Sequence, residues 1–166
     1  MIAIATVLRP RVIIADEPTS GLDVTVQAAI LRELHELKQL LGASILLITH
    51  NLGVVAQMAD EVAVMYAGRI VERGATADVY ARPRHPYTAA LLEARPRVDQ
   101  PGRPLRQIPG APPDLAALAE QCAFLPRCVK ALSSCRAEDW PALAVVDDRH
   151  EVACFNPVFQ PDAERV

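Results

Sequence analysis

Two short apolar runs flank one amphipathic stretch in the first part of the chain. Residues 12–15 and 44–49 are nearly continuous apolar runs, a pattern typical of strands buried on both faces of a parallel sheet. Between them, residues 25–41 space apolar side chains as the stripe of an amphipathic helix, and Gly42 is placed to cap it. The stripe consists of Ile30, Leu34, Leu37 and Leu41. This strand–helix–strand order predicts an α/β fold with parallel strands and flanking helices.

The rest of the pattern predicts shorter elements. Residues 1–8 read as the end of a buried helix, which Arg9-Pro10 stops. Ala67-Gly68 indicates the turn of a hairpin. Residues 95–113 contain six prolines and two glycines, which favours a stiff, extended linker. The other predicted elements are a helix near 53–58, hairpin strands at 62–66 and 69–73, and helices at 75–81 and 86–94.

Composition sharpens this division of the chain. Of the 14 prolines, 2 precede residue 83 and 12 lie at residue 83 or beyond it, so the two parts differ in construction. The net charge of −3 over 166 residues leaves no basic patch for nucleic acid. No apolar run reaches the roughly 18 residues that span a bilayer, and no secretory signal is visible at the N-terminus. We therefore expect a cytosolic protein, or one held at a membrane by its partners.

The residues with candidate chemistry follow the two predicted strands. Asp16 and Glu17 come directly after the first strand, and His50 after the second. Ligands of such sheets bind beyond the carboxyl ends of the strands. There, Asp16 can hold Mg²⁺ through a water, Glu17 can deprotonate an attacking water, and His50 can contact a γ-phosphate. Taken alone, the Asp16-Glu17 pair is more often the cap of a turn, and a single histidine such as His50 is more often structural than functional.

The combination is more specific than its parts. Val-Ile-Ile-Ala-Asp-Glu-Pro-Thr-Ser-Gly-Leu-Asp, an amphipathic helix and Leu-Leu-Ile-Thr-His-Asn together resemble the ATP-binding subunits of ABC transporters. The resemblance implies that Asp16 serves the magnesium site, that Glu17 is the general base and that His50 is the switch histidine. It also implies that a D-loop is formed by Ser20, Gly21, Leu22 and Asp23. Asn51 stands where the family often has aspartate.

The resemblance extends through nearly the whole chain. Three later segments are similar to the oligopeptide/dipeptide importer branch, which also includes nickel and glutathione importers. These segments are residues 64–72, 83–88 and 108–113. We read the His85-Pro86-Tyr87 segment as a helix start with a packing role only. The resemblance implies three domains: 1–82 as the C-terminal half of an ABC ATPase core, 83–113 as a helix and linker, and 114–166 as a cysteine domain.

One expected part of a P-loop NTPase core is missing from the sequence. A phosphate-binding loop of the form G-x-x-x-x-G-K-[ST] needs a lysine after glycine, and neither Lys38 nor Lys130 follows one. The resemblance therefore covers a partial core, without the Walker A and signature motifs, followed by a small proline-rich cysteine lobe. We expect the isolated chain to hydrolyse little or no ATP.

The four cysteines leave three alternatives open. Their spacing is C-x5-C-x6-C-x18-C, which lacks the close pair typical of zinc sites. Four thiolates can ligate a [4Fe–4S] cluster, and buried free thiols are the third alternative. The importer branch binds an iron–sulfur cluster in some members, so the resemblance favours the cluster. The four residues are Cys122, Cys128, Cys135 and Cys154.

The resemblance implies an ATPase subunit that energises peptide uptake, with ATP and Mg²⁺ as cofactors. It implies as partners a second ATP-binding subunit in a homo- or heterodimer, transmembrane permeases and, indirectly, an external substrate-binding protein, at the cytoplasmic face of the membrane. The main alternative is a non-hydrolysing cysteine–metal interaction module, which Mg-ATP affinity would distinguish. A chromosome-maintenance ATPase is a third hypothesis, which the absence of coiled-coil heptads and of a basic surface disfavours.

Overall fold

The computed structural model describes residues 2–94 and 107–159, which form two compact units. Unit 1 spans Met1–Ala59 and unit 2 spans Asp60–Val166. This division lies upstream of the change in proline content at residue 82, and the three domains expected from the sequence stay a prediction. Within the described residues, no helix has the length and apolarity needed to cross a membrane.

Unit 1 has the α/β order that the sequence predicts. The strands β1 (Val12–Asp16) and β2 (Ser44–Ile48) pair in parallel, with Asp16 opposite Ile48 at their carboxyl ends. Parallel pairing requires a crossover connection, which the helix α2 (Val24–Leu41) provides here. The other elements of this unit are the helices α1 (Ile2–Thr6) and α3 (Leu52–Met58).

Capping interactions define both ends of the helix α2. The Asp23 side chain accepts hydrogen bonds from the backbone N–H groups of Thr25 and Val26, each at 3.0 Å, which caps the N-terminus. Gly42 adopts the left-handed conformation, φ 62°, at the C-terminus, as a helix C-cap requires. Of the predicted stripe, Leu34 is buried and Ile30, Leu37 and Leu41 are half-buried, whereas the buried Leu31 was not assigned to it.

Burial along β1 differs from the prediction. Ile13 and Ala15 are buried, but Val12 and Ile14 are 57% and 67% exposed. The expectation of a strand buried on both faces is therefore wrong, because successive side chains point to opposite faces and only one face is covered. The helix α1 was likewise expected to be buried and carries no buried residue.

Unit 2 is built on a four-stranded antiparallel sheet. Its strands are β3 (Glu61–Tyr66), β4 (Arg69–Ala75), β5 (Ala144–Asp147) and β6 (His150–Val152), in the spatial order β3-β4-β6-β5. The predicted hairpin is confirmed: Ala67 and Gly68 both have positive φ, 48° and 78°, as a tight hairpin turn demands. The two C-terminal strands were not predicted. Its helices are α4 (Thr76–Ala81), α5 (Pro86–Glu93) and α6 (Ser134–Ala137), with 3₁₀ turns at Leu115–Ala117 and Leu125–Arg127.

The core of unit 2 is aromatic. Tyr66, Val71 and Phe124 form its buried centre, and the Tyr66 and Phe124 rings meet edge to face with centroids 5.3 Å apart. Arg127 joins this core to the chain entering from the linker, since its guanidinium donates to Pro109 O at 2.8 Å and to the Tyr66 hydroxyl at 3.2 Å. Of the predicted linker at 95–113, residues 95–106 lie outside the described residues.

Candidate functional site

The parallel pairing of β1 and β2 brings Glu17 and His50 together at one edge of the sheet. Glu17 Oε1 accepts a hydrogen bond from the His50 backbone N–H at 3.0 Å and lies 2.7 Å from His50 Nδ1. Glu17 in turn donates its backbone N–H to Ile48 O at 2.8 Å. Two residues that are 33 positions apart in sequence are therefore adjacent, as the strand-end argument requires.

The backbone at Glu17 adopts an unusual conformation. Its φ is +45°, a left-handed value that a long side chain rarely adopts and that costs about 1–3 kcal/mol. The Glu17 carbonyl accepts a hydrogen bond from the Ser20 N–H at 3.1 Å, so the chain turns sharply directly after the carboxylate. Strained residues of this kind cluster at functional sites, which supports a functional role for Glu17.

Hydrogen bonding from His50 keeps the Glu17 carboxyl ionised. The His50 side chain is the largest cause that lowers the pKa of Glu17, and desolvation opposes it only in part. A carboxylate can only accept hydrogen bonds, so Nδ1 of His50 carries the proton between them. The His50 side chain is 83% exposed and that of Glu17 35%. The pair therefore faces solvent, where a substrate can reach both groups.

We predict that His50→Ala raises the pKa of Glu17 toward the ordinary carboxyl range, because it removes the side-chain hydrogen bond that lowers it. A depressed pKa adds stability above the unfolded-state pKa, and this contribution disappears as the pH falls through the folded-state value. Carboxyl ¹³C NMR titration of Glu17 measures the shift. His35→Ala, at an exposed position on α2, is the control. An unchanged Glu17 midpoint in His50→Ala would contradict the prediction.

The other residues predicted for this edge lie close by along the chain. Asp16 is the exposed last residue of β1. Ser20, Gly21, Leu22 and Asp23 form the exposed turn into α2, with Gly21 at φ 73°. Asp23 was assigned only to the D-loop, whereas one of its oxygens also caps α2. Asp23 therefore has a local structural role in addition to any contact across an interface.

Asn51 has a clear local role. Its side-chain oxygen accepts from the N–H groups of Gly53 at 3.0 Å and Val54 at 3.4 Å, which caps α3. Asn and Asp are about equally good N-caps, so either residue at this position can cap α3.

The second predicted site, in unit 2, is a recess that all four cysteines line. We call it the cysteine recess. Its lining also includes His85, Pro86, Leu125, Phe124, Pro141 and Phe155, and it encloses about 310 Å³, part of it open to solvent. Cys122 and Cys128 flank the 3₁₀ turn at Leu125–Arg127, Cys135 lies in α6, and Cys154 follows β6. The topology thus gathers thiols spread over 33 positions of sequence.

Burial holds three of these four thiols in the protonated state. Desolvation is the main cause that raises the pKa of Cys122 and Cys128, and it raises that of Cys154 to about 11. The neighbouring cysteines raise these pKa values further. Thiolates in this recess therefore need a compensating positive charge.

The recess does not have the arrangement of a site for one metal ion. Among residues 2–94 and 107–159, no group of three or more His, Cys, Asp or Glu side chains is placed to hold an ion. Zinc sites draw four ligands to about 2.3 Å from one point. A polynuclear cluster instead needs sulfurs spread around a larger body. The four cysteines line one recess but are not gathered around one ion position.

A buried polar network beside the recess was not predicted. Glu72 is fully buried, and its carboxylate accepts from the backbone N–H groups of Arg84 at 2.6 Å and His85 at 2.8 Å. Its Oε1 also lies 2.7 Å from Nε2 of His150, another buried residue. In sequence, Glu72 resembles any solvent-facing residue of a hairpin strand, so no local pattern reveals its role.

His85 was also assigned only a packing role. It precedes α5, and its Nδ1 accepts the Tyr87 N–H at 3.0 Å. Burial lowers the pKa of His85 to about 4, so the ring is neutral near pH 7. The signal available in sequence was a histidine directly before a proline at a helix start, a position where side-chain acceptors cap helices.

Comparison with known proteins defines the class of this chain as ABC transporter ATP-binding subunits. Residues 71–135 match the family described as "Oligopeptide/dipeptide transporter, C-terminal region". The chain is 49% identical over 158 residues to the oligopeptide transport ATP-binding protein OppD of Salmonella typhimurium, covering 95% of this chain and 47% of that protein.

A second relative and a solved structure complete the comparison. The dipeptide transport ATP-binding protein DppD of Bacillus subtilis is 45% identical over 155 residues, which are 93% of this chain and 46% of that protein. The structure of CbiO1 from Clostridium perfringens, described as part of the ABC transporter complex CbiONQ, covers 48% of this chain and 32% of its own, at 39% identity and a TM-score of 0.45.

The chain corresponds to the C-terminal part of oligopeptide/dipeptide ABC transporter ATP-binding subunits. It spans about half the length of the curated relatives that it matches.

Proposed function

We propose that this chain supplies the catalytic edge of an ATP-binding subunit that hydrolyses ATP to energise peptide uptake by an ABC importer. The observation that supports it most is the contact between Glu17 and His50 at the carboxyl ends of two parallel strands. A carboxylate kept ionised beside an exposed histidine can accept a proton from water and contact a phosphate.

Each residue at this edge has a proposed role. Asp16, the last residue of β1, would hold Mg²⁺ through a water, and the ion would neutralise phosphate charge. Glu17 would act as the general base, and His50 would contact the γ-phosphate. The exposed turn of Ser20, Gly21, Leu22 and Asp23 would contact a second ATP-binding subunit across their interface.

The proposed setting is the cytoplasmic face of the inner or plasma membrane, with the chain bound peripherally. Its partners would be a second ATP-binding subunit and transmembrane permeases, and indirectly an external substrate-binding protein. The printed names of the relatives, oligopeptide and dipeptide transport ATP-binding proteins, support this setting. The alternative of a non-hydrolysing interaction module has no support among them.

Reconstitution tests the proposal. The sequence contains no G-x-x-x-x-G-K-[ST] loop, so we predict that the chain alone hydrolyses Mg-ATP no faster than its Glu17→Gln variant. Fused behind the N-terminal half of the Salmonella typhimurium relative, the same chain is expected to hydrolyse Mg-ATP steadily. Turnover by the isolated chain above the Glu17→Gln control would contradict the first expectation. An inactive but folded, ATP-binding fusion would contradict the proposed activity.

A second function is proposed for unit 2, because all four cysteines line one recess. We assign Cys122, Cys128, Cys135 and Cys154 as ligands of a [4Fe–4S] cluster, whose positive iron centres would supply the charge that buried thiolates need. Protein prepared anaerobically is expected to contain about four irons per chain and to show broad visible absorption. Iron-free protein that binds one zinc ion per chain, or no metal, would refute the cluster.

A further inference from the structure

Thr49 lies between two residues that contact Glu17 at the carboxyl end of β2. On one side, Ile48 O accepts the Glu17 backbone N–H at 2.8 Å. On the other side, the His50 backbone N–H donates to Glu17 Oε1 at 3.0 Å. Glu17 therefore lies along the segment 48–50, in which the half-buried Thr49 is the middle residue.

The hydroxyl of Thr49 both accepts and donates. Its oxygen accepts the Asn51 backbone N–H at 3.1 Å, and a hydroxyl that accepts a hydrogen bond still has its proton to donate. The Glu17 carboxylate receives this proton donor: after His50, which is the largest cause, a hydrogen bond from the Thr49 side chain also lowers the pKa of Glu17. The hydroxyl therefore connects the carboxylate to the start of α3, which Asn51 caps.

The hydrogen bonds from His50 leave the Glu17 carboxylate one degree of freedom. Both reach the same oxygen, Oε1. A carboxylate held at one oxygen can still rotate about its last side-chain bond, because the terminal torsion of glutamate is broad and two-fold. The side chain is 35% exposed, so packing restricts it only in part. A donor on another side chain limits this rotation, since the carboxylate must satisfy both donors at once.

We propose that Thr49 is a positioning residue for Glu17, whose hydroxyl holds the carboxylate in the orientation that proton transfer from water requires. This inference rests on the proposed function, in which Glu17 is the general base. A general base must lie within hydrogen-bond reach of the proton it takes, and small misplacements of reacting groups cost much of the rate. Thr49 acts through Glu17 alone.

The variants Thr49→Val and Thr49→Ser isolate the hydroxyl. Valine keeps the size and branching of threonine without the hydroxyl, whereas serine keeps the hydroxyl and loses a methyl group. In the fusion with the N-terminal half of the Salmonella typhimurium relative, we expect Thr49→Val to lower kcat about tenfold, the effect of one hydrogen bond to a charged group. Equilibrium binding of Mg-ATP should not change, and Thr49→Ser should retain the wild-type kcat. A wild-type kcat in Thr49→Val, or an equal loss in both variants, would overturn the proposal.

The control for general destabilisation is Asn51→Ala. It removes the side-chain cap of α3 and keeps the Thr49 hydroxyl. We expect a lower Tm and a wild-type kcat. If Asn51→Ala lowered kcat as much as Thr49→Val, the effect would belong to the start of α3, and the role proposed for the hydroxyl would be wrong.

A measurement on the isolated chain does not depend on hydrolysis. ¹³C relaxation of the labelled Glu17 side chain reports its order on the ps–ns timescale. We expect greater motion in Thr49→Val and wild-type order in Thr49→Ser and Asn51→Ala. If the wild-type fusion hydrolyses no ATP, the proposed function fails, and this measurement still decides whether Thr49 holds the carboxylate. Unchanged order of Glu17 in Thr49→Val would overturn the inference.

Discussion

Glu72→Ala is expected to destabilise unit 2 by about 3–5 kcal/mol, the usual cost of removing one partner from a buried charged network. The Glu72 carboxylate is fully buried and accepts the backbone N–H groups of Arg84 and His85. Nε2 of His150 lies against it as well. Alanine leaves these groups without an acceptor, and each buried, unpaired polar group costs about 1–3 kcal/mol.

Urea unfolding followed by the fluorescence of Trp140 measures the effect. Trp140 is the only tryptophan of the chain and lies in unit 2, where the Arg69 guanidinium stacks on its ring at 4.9 Å. The signal therefore reports this unit alone, which matters because a chain of two units need not unfold in one step. We expect a large decrease in the urea midpoint.

The matched control is Glu151→Ala, which removes the same side chain from the paired strand β6. Glu151 lies opposite Arg73 in the sheet and forms an ion pair with it, and its side chain is partly open to solvent. Since ion pairs near the surface contribute little, its midpoint is expected to change little. Equal midpoints for the two alanine variants would contradict the importance assigned to Glu72.

The contrast between these two glutamates shows the limit of sequence reasoning. Both occur in short strands beside polar neighbours, and alternation along a strand predicts a solvent-facing carboxylate for each. What distinguishes Glu72 is its partners, which lie 12 or more positions away in sequence, up to 78 positions for His150. The strands β5 and β6 were missed for a related reason, since three or four residues are too few for a pattern of period two.

Local signals predicted the elements of unit 1 more successfully. Gly42 was predicted to cap α2 and does so, and the approach of Glu17 to His50 follows from one rule, that carboxyl ends of parallel strands share an edge. Burial was predicted less well. An apolar run identifies a strand but not which of its faces another element covers, so Val12 and Ile14 were wrongly expected to be buried.

Glu17→Gln is expected to reduce ATP turnover by about 10²–10⁴-fold in the fusion with the N-terminal half of the Salmonella typhimurium relative, which is the range for loss of a general base. Glutamine keeps the size of the side chain and can still accept the His50 hydrogen bonds through its oxygen, but it cannot take a proton from water. ATP binding should therefore persist while kcat falls, because the interaction lost belongs to the transition state.

The control is Glu33→Gln, the same chemical change at an exposed position of α2, which should leave kcat and KM unchanged. Steady-state turnover and equilibrium binding of Mg-ATP, measured on the same preparations, separate catalysis from affinity. If Glu17→Gln lost binding and turnover together, Glu17 would be maintaining the site rather than acting as base. If turnover were unaffected, the strained, solvent-facing contact between Glu17 and His50 would have no part in hydrolysis, and the role proposed for this edge of the sheet would be wrong.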